Sequence, residues 1–86
     1  MHTVELLEHA VVAAERLGYR IRHDWLDGSA GGACLVGGQK WIFLDLAQGP
    51  LENLTCVAEA LTGEPGLADL ELPGELRSFL DVRKSA

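Results

Sequence analysis

Apolar and polar positions recur with two different periods along this chain, and the switches between them mark its elements. Leu7, Ala10, Val11, Ala14 and Leu17 keep helical spacing, while Glu5, Glu8, His9, Glu15 and Arg16 fall on the other side with Val12 as the one apolar intruder. This spacing predicts an amphipathic helix with Thr3 as its N-cap, Glu5 complementing the helix dipole and Gly18 as its stop. From Tyr19 the period falls to two. Tyr19, Ile21, His23 and Trp25 point one way and Arg20, Arg22 and Asp24 the other, which is the pattern of a strand. The run Asp27-Gly28-Ser29-Ala30-Gly31-Gly32 breaks the alternation, and Gly32 to Val36 resumes it as a second strand. Gly37-Gly38 suits a type I′ hairpin turn, which requires positive φ at both positions, and leads into a third strand from Lys40 to Leu46.

A two-residue turn at 37 and 38 fixes the hairpin register: Val36 opposite Gln39, Leu35 opposite Lys40, Cys34 opposite Trp41 and Ala33 opposite Ile42. One face then holds Ala33, Leu35, Ile42, Leu44 and Leu46, and the other Cys34, Val36, Trp41, Phe43 and Asp45. Both faces are apolar, so helices on one side alone leave an aromatic face to cover. Gly49-Pro50 with Glu52 starts a second helix, whose stripe of Leu51, Leu54, Val57, Ala58 and Leu61 runs to Gly63. Glu64-Pro65-Gly66 reads as a turn and Leu67 to Leu72 as an apolar connector or short strand. Pro73 opens a last helix using Leu76, Phe79 and Leu80, and the tail Arg83-Lys84-Ser85-Ala86 is expected to fray. The expected fold class is α+β: a three-stranded antiparallel meander packed with two main helices and a short C-terminal helix, in the order αβββαα.

Eighty-six residues confine this to a single domain, 1–86, since two cores of fewer than about 45 residues each would need staples that two cysteines do not supply. Thirteen acidic and seven basic residues give a net charge of −6. The imbalance is uneven: residues 1–44 carry five acids and four bases, net −1, and residues 45–86 carry eight acids and three bases, net −5. An acidic chain argues against nucleic acid as a partner, and Arg20 with Arg22 is a small patch, so an electrostatic partner of the second half should be basic. Acids at Glu5 and Glu8 stand where an export signal would be positively charged, no apolar run reaches bilayer length, and two cysteines 22 positions apart fit a reducing cytoplasm.

Candidate chemistry is sparse. His23 lies among apolar neighbours, where burial or an acid readily moves an imidazole's pKa, yet a half-buried histidine bonded to backbone, Asp24 or Asp27 is the stronger reading. Cys34 and Cys56 sit in apolar segments without a partnering base, so both are expected in the core, Cys56 with the option of its helix rim. His9, His23, Cys34 and Cys56 show no metal-ligand spacing, and neither a metal nor a cofactor is expected. Gly28 to Gly32 leads into a strand rather than a helix N-terminus, which suits turns better than phosphate binding. Asp24, Asp27 and Asp45 are candidates to converge at one end of the sheet.

The succession of helix, strand, Gly-rich loop, hairpin, Ile42-Phe43-Leu44-Asp45 strand and helix resembles the N-terminal part of the ImmA/IrrE group of zincin-like metallopeptidases over residues 4–62. That group carries His-Glu-x-x-His on the helix after the strand. Here the matching stretch is Ala58-Glu59-Ala60-Leu61-Thr62, in which Glu59 matches the general base and both zinc-binding histidines are absent. The resemblance therefore implies a metal-free relict, and the missing histidines remove the inference of peptidase activity. Gly31-Gly32-Ala33-Cys34 and Gly38 to Leu46 also resemble short bacterial proteins of unknown function, a resemblance that implies no activity.

Two functional expectations follow. The first is a non-enzymatic protein-interaction or self-association module, motivated by the two apolar sheet faces and exposed edges, with Trp41 and Phe43 at or near the covered face and a second copy or another protein as partner. The second is a small enzyme or ligand-binding protein using His23, Cys34, Asp27 and Asp45 around the Gly28 to Gly32 loop.

Overall fold

The computed structural model describes residues 1–27 and 31–85; Gly28, Ser29 and Ala30 of the glycine-rich run lie outside the described residues. Helix α1 spans Thr3–Arg16, strands β1, β2 and β3 span Tyr19–Asp24, Gly32–Val36 and Gln39–Asp45, helix α2 spans Pro50–Thr62 and helix α3 spans Gly74–Ser85. The αβββαα order is thus as expected. The N-cap of α1 is His2 rather than Thr3, because the Glu5 carboxylate, one turn in, accepts the His2 N–H at 3.4 Å. Gly18 ends that helix at φ 96°, a conformation that side chains resist.

The sheet corrects the expected antiparallel meander. Its strand order is β1-β3-β2, with β3 in the centre, antiparallel to β2 and parallel to β1. The physical reason lies in which strand can be buried on both sides. Trp41, Ile42, Phe43 and Leu44 are apolar at four successive positions, as a central strand requires, whereas Arg20, Arg22 and Asp24 suit β1 to an edge. Seven residues, 25–31, separate the end of β1 at one edge from the start of β2 at the other, a gap of about 10 Å that a chain of that length can span. The parallel ladder runs one step beyond the strands, where the Leu46 N–H donates to the Asp24 carbonyl at 2.9 Å.

The β2–β3 register is the one expected, from Val36↔Gln39 at the turn to Gly32↔Phe43, with Gly37 and Gly38 at φ 57° and 82°. Ile42 and Leu44 are fully buried beneath α1 and α2, in one core with Ala10, Ala14, Leu54, Val57, Leu61, Leu76 and Leu80. Each of the larger of these side chains contributes about 1.5–3 kcal/mol of burial. Asn53, in the second turn of α2, donates from Nδ2 to the Asp45 carbonyl at 3.3 Å and ties that helix to the end of β3.

The C-terminal region departs from expectation twice. The turn expected at Glu64-Pro65-Gly66 is a 3-10 helix, Pro65–Asp69, which runs into the stretch from Leu67 that the sequence suggested as a connector or short strand. Helix α3 is 12 residues long, nearly matching α2, and stays helical through Ser85 where fraying was expected from Arg83; Ala86, the last residue of that expected tail, lies outside the described residues. Two polar contacts explain the order: Arg77 donates to the Leu70 carbonyl at 2.7 Å, and Arg83 reaches Glu59 on α2 at 3.3 Å.

Candidate functional site

Helices α1 and α2 pack on one side of the sheet, and among the described residues no helix lies on the other, open face. It is built by strand alternation from Arg20, Arg22 and Asp24 of β1, Gln39, Trp41, Phe43 and Asp45 of β3, and Cys34 and Val36 of β2. Trp41 and Phe43, two residues apart on the central strand, stack with ring centroids 5.9 Å apart and planes inclined by 11°. Neither belongs to the core cluster. The parallel register sets Arg20 beside Trp41, and its guanidinium lies 5.8 Å from the indole centroid. Arg22, beside Phe43, pairs with Asp24 at 3.3 Å. The face is an aromatic strip with two cations along its β1 side, though the chain as a whole is acidic.

The sequence-predicted site residues are distributed over this sheet rather than gathered in a cleft. Cys34 is exposed on the open face opposite Trp41, which corrects the expectation that it packs in the core; an edge strand leaves one side of each residue in solvent. His23 is exposed rather than half-buried, because it follows Ile21 towards the end of β1, where helix cover gives out. It aligns with Leu44 on the helix-facing side, so His23 and Cys34 lie on opposite faces with β3 between them. Asp24 and Asp45 are neighbours in the parallel register, but each carboxylate serves its own turn, accepting the N–H of Trp25 and of Ala47 respectively, both at 2.9 Å. Asp27 is exposed at φ 50°. Among the described residues, no group of three or more His, Cys, Asp or Glu could hold a metal ion.

Cys56 sits at the rim of α2, half-buried, with its Sγ 3.8 Å from the Phe43 carbonyl. Burial, with the Glu59 carboxylate in support, pushes its thiol pKa up, so it is protonated at neutral pH and a poor nucleophile. It lines an open groove of about 450 Å³ with Gly31, Gly32, Leu51, Glu52 and Glu59. Glu59, the residue that matches a general base in the resemblance above, is exposed and paired with Arg83.

One polar cluster has no local sequence signal. The Tyr19 hydroxyl donates to Glu64 at 2.7 Å, and the Lys40 ammonium reaches the same carboxylate oxygen at 3.1 Å while standing 4.6 Å from the Tyr19 ring centroid. Burial, then the bond to Glu64, pushes the Tyr19 pKa up to about 12. The bonds from Tyr19 and Lys40 hold the Glu64 carboxyl below its usual range. The cluster joins the first residue of β1, the start of β3 and the turn after α2. Its members are 24 and 45 positions from Glu64, and only the fold brings them together.

No family model, curated protein or solved structure matches the chain. No helix among the described residues is long and apolar enough to cross a membrane.

Proposed function

We propose that this domain is a non-enzymatic self-association module that joins copies of itself through its sheet. The observation that carries the reading is the helix-free face with its stacked, partly exposed Trp41 and Phe43, bounded on one side by an edge strand, β2, that has no charged residue. A partly exposed aromatic strip beside an uncharged edge is a surface that folded chains ordinarily cover or blunt. Cys34 and Cys56, both unpaired, are compatible with a reducing cytoplasm.

Sedimentation equilibrium over a wide concentration range tests the reading. A dimer or larger assembly is expected, weakened by Trp41→Ser. A monomer at high micromolar concentration, with Trp41→Ser leaving mass and fold unchanged, sinks it.

A further inference from the structure

The free edge of β2 has a pattern suited to a second copy of itself. A two-residue hairpin turn with positive φ at both positions, as at Gly37 and Gly38, closes on a hydrogen-bonded pair, which by the register is Val36 and Gln39. Bonding alternates along an antiparallel ladder, so Gly32, Cys34 and Val36 direct their backbone groups towards β3. The N–H and C=O of Ala33 and Leu35 then point away from it, to the open edge. The side chains there are bare as well: Leu35 is 68% exposed and Val36 55%.

We infer that β2 pairs antiparallel with β2 of a second copy about a two-fold axis through Cys34, merging two three-stranded sheets into one of six strands. The inference rests on the self-association reading and adds an edge contact to it, with the stacked Trp41 and Phe43 one strand in from the seam, on the face of the merged sheet. In this register Ala33 of each copy bonds with Leu35 of the other, so every outward donor in the strand meets an acceptor. Side-chain sizes agree with the same axis. Bulky Leu35 lies across from small Ala33, Val36 across from Gly32, and Cys34 across from its own counterpart.

Competing arrangements fit less well. A shift that moves the partner by one residue sets outward groups against inward ones. A two-fold axis through Leu35 crowds leucine against leucine and leaves Ala33 facing the turn at Gly37. Pairing with the opposite edge brings a neutral strand against Arg20, Arg22 and Asp24 of β1. On the helix side, Leu51 of α2, 57% exposed in the groove beside Gly31 and Gly32, extends the apolar strip.

Cys34 reports the register directly. Opposed residues of a non-hydrogen-bonded pair have Cα atoms about 4.5 Å apart, within the range a disulfide spans. Diamide, a diazene that takes up two hydrogens from two thiols as the S–S bond forms, is added to the full chain and the product resolved by non-reducing electrophoresis. Rapid formation of a Cys34–Cys34 dimer is expected. In a Cys34→Ser background, Ala33→Cys and Leu35→Cys should each cross-link at least about tenfold more slowly. Leu35→Lys, at a side chain already in solvent, should raise the dimer dissociation constant at least about tenfold, or ~1.4 kcal/mol, with an unchanged circular dichroism spectrum. If the wild-type chain is a dimer but Leu35→Lys leaves it so, or Leu35→Cys cross-links faster than Cys34, this interface is wrong while self-association stands. A wild-type monomer overturns both.

Discussion

Removing the Tyr19 hydroxyl tests whether the cluster around Glu64 stabilises the fold as its geometry implies. In Tyr19→Phe the ring stays and the 2.7 Å bond to the carboxylate goes. Hydrogen bonds to a charged acceptor contribute about 1.5–3 kcal/mol. Here the Glu64 side chain is 19% exposed and keeps Lys40 at 3.1 Å, so water and the ammonium offset part of the loss. The expected cost is about 1 kcal/mol, a fall of roughly 4–8 °C in melting temperature for a domain of this size. Urea denaturation of both proteins across pH supplies the sign. The Tyr19 pKa is raised, so its contribution is complete below the unfolded value of about 10 and is lost as pH rises through about 12. The Glu64 pKa is lowered, so its contribution is complete above the unfolded value of about 4.3 and is lost as pH falls through its lower folded value. The gap between wild type and variant should therefore be flat through neutral pH and close towards both extremes. As Tyr19 is the sole tyrosine, phenolate absorbance follows it directly. Phenolate appearing with a midpoint near 10 while the circular dichroism is still native, or a Tyr19→Phe protein as stable as wild type, would refute the reasoning.

Two further expectations concern the central strand and the thiols. Leu44→Ala, at a fully buried position beneath the helices, should cost about 2–5 kcal/mol in urea denaturation, and a loss below about 1 kcal/mol would place Leu44 outside the core. Thiol titration with a chromogenic disulfide near pH 8 should show two phases, a fast one from exposed Cys34 that Cys34→Ser abolishes and a slow one from Cys56. Equal rates would contradict the burial of Cys56.

What could be read from the sequence was local. Gly37-Gly38 determines the hairpin register through a turn that needs positive φ twice, and the helices follow from apolar spacing that their own stripes bury. The pairing partner of β1 was not local, because alternation tells which side a residue faces and says nothing of which strand lies beside it. A usable signal was present nonetheless: Trp41 to Leu44 is apolar at four successive positions while β1 alternates with Arg20, Arg22 and Asp24, which marks the middle of a sheet against its edge. The same limit applied to chemistry. His23 was read from its apolar neighbours, but Ile21 has helix cover and His23, two residues on, does not. Tyr19, Lys40 and Glu64 were each visible and their meeting was not.

The parallel pairing of β1 also bears on the order in which the molecule assembles. Each residue of β1 finds its partner 21 positions further along, from Tyr19↔Lys40 to Asp24↔Asp45, whereas β2 and β3 meet across two glycines. Closing the longer loop costs more entropy, which favours the hairpin forming first. During synthesis the first strand therefore leaves the ribosome with nothing to bond to until Asp45 has followed it. In that interval it is Arg20, Arg22 and Asp24 that guard it against strands from other chains.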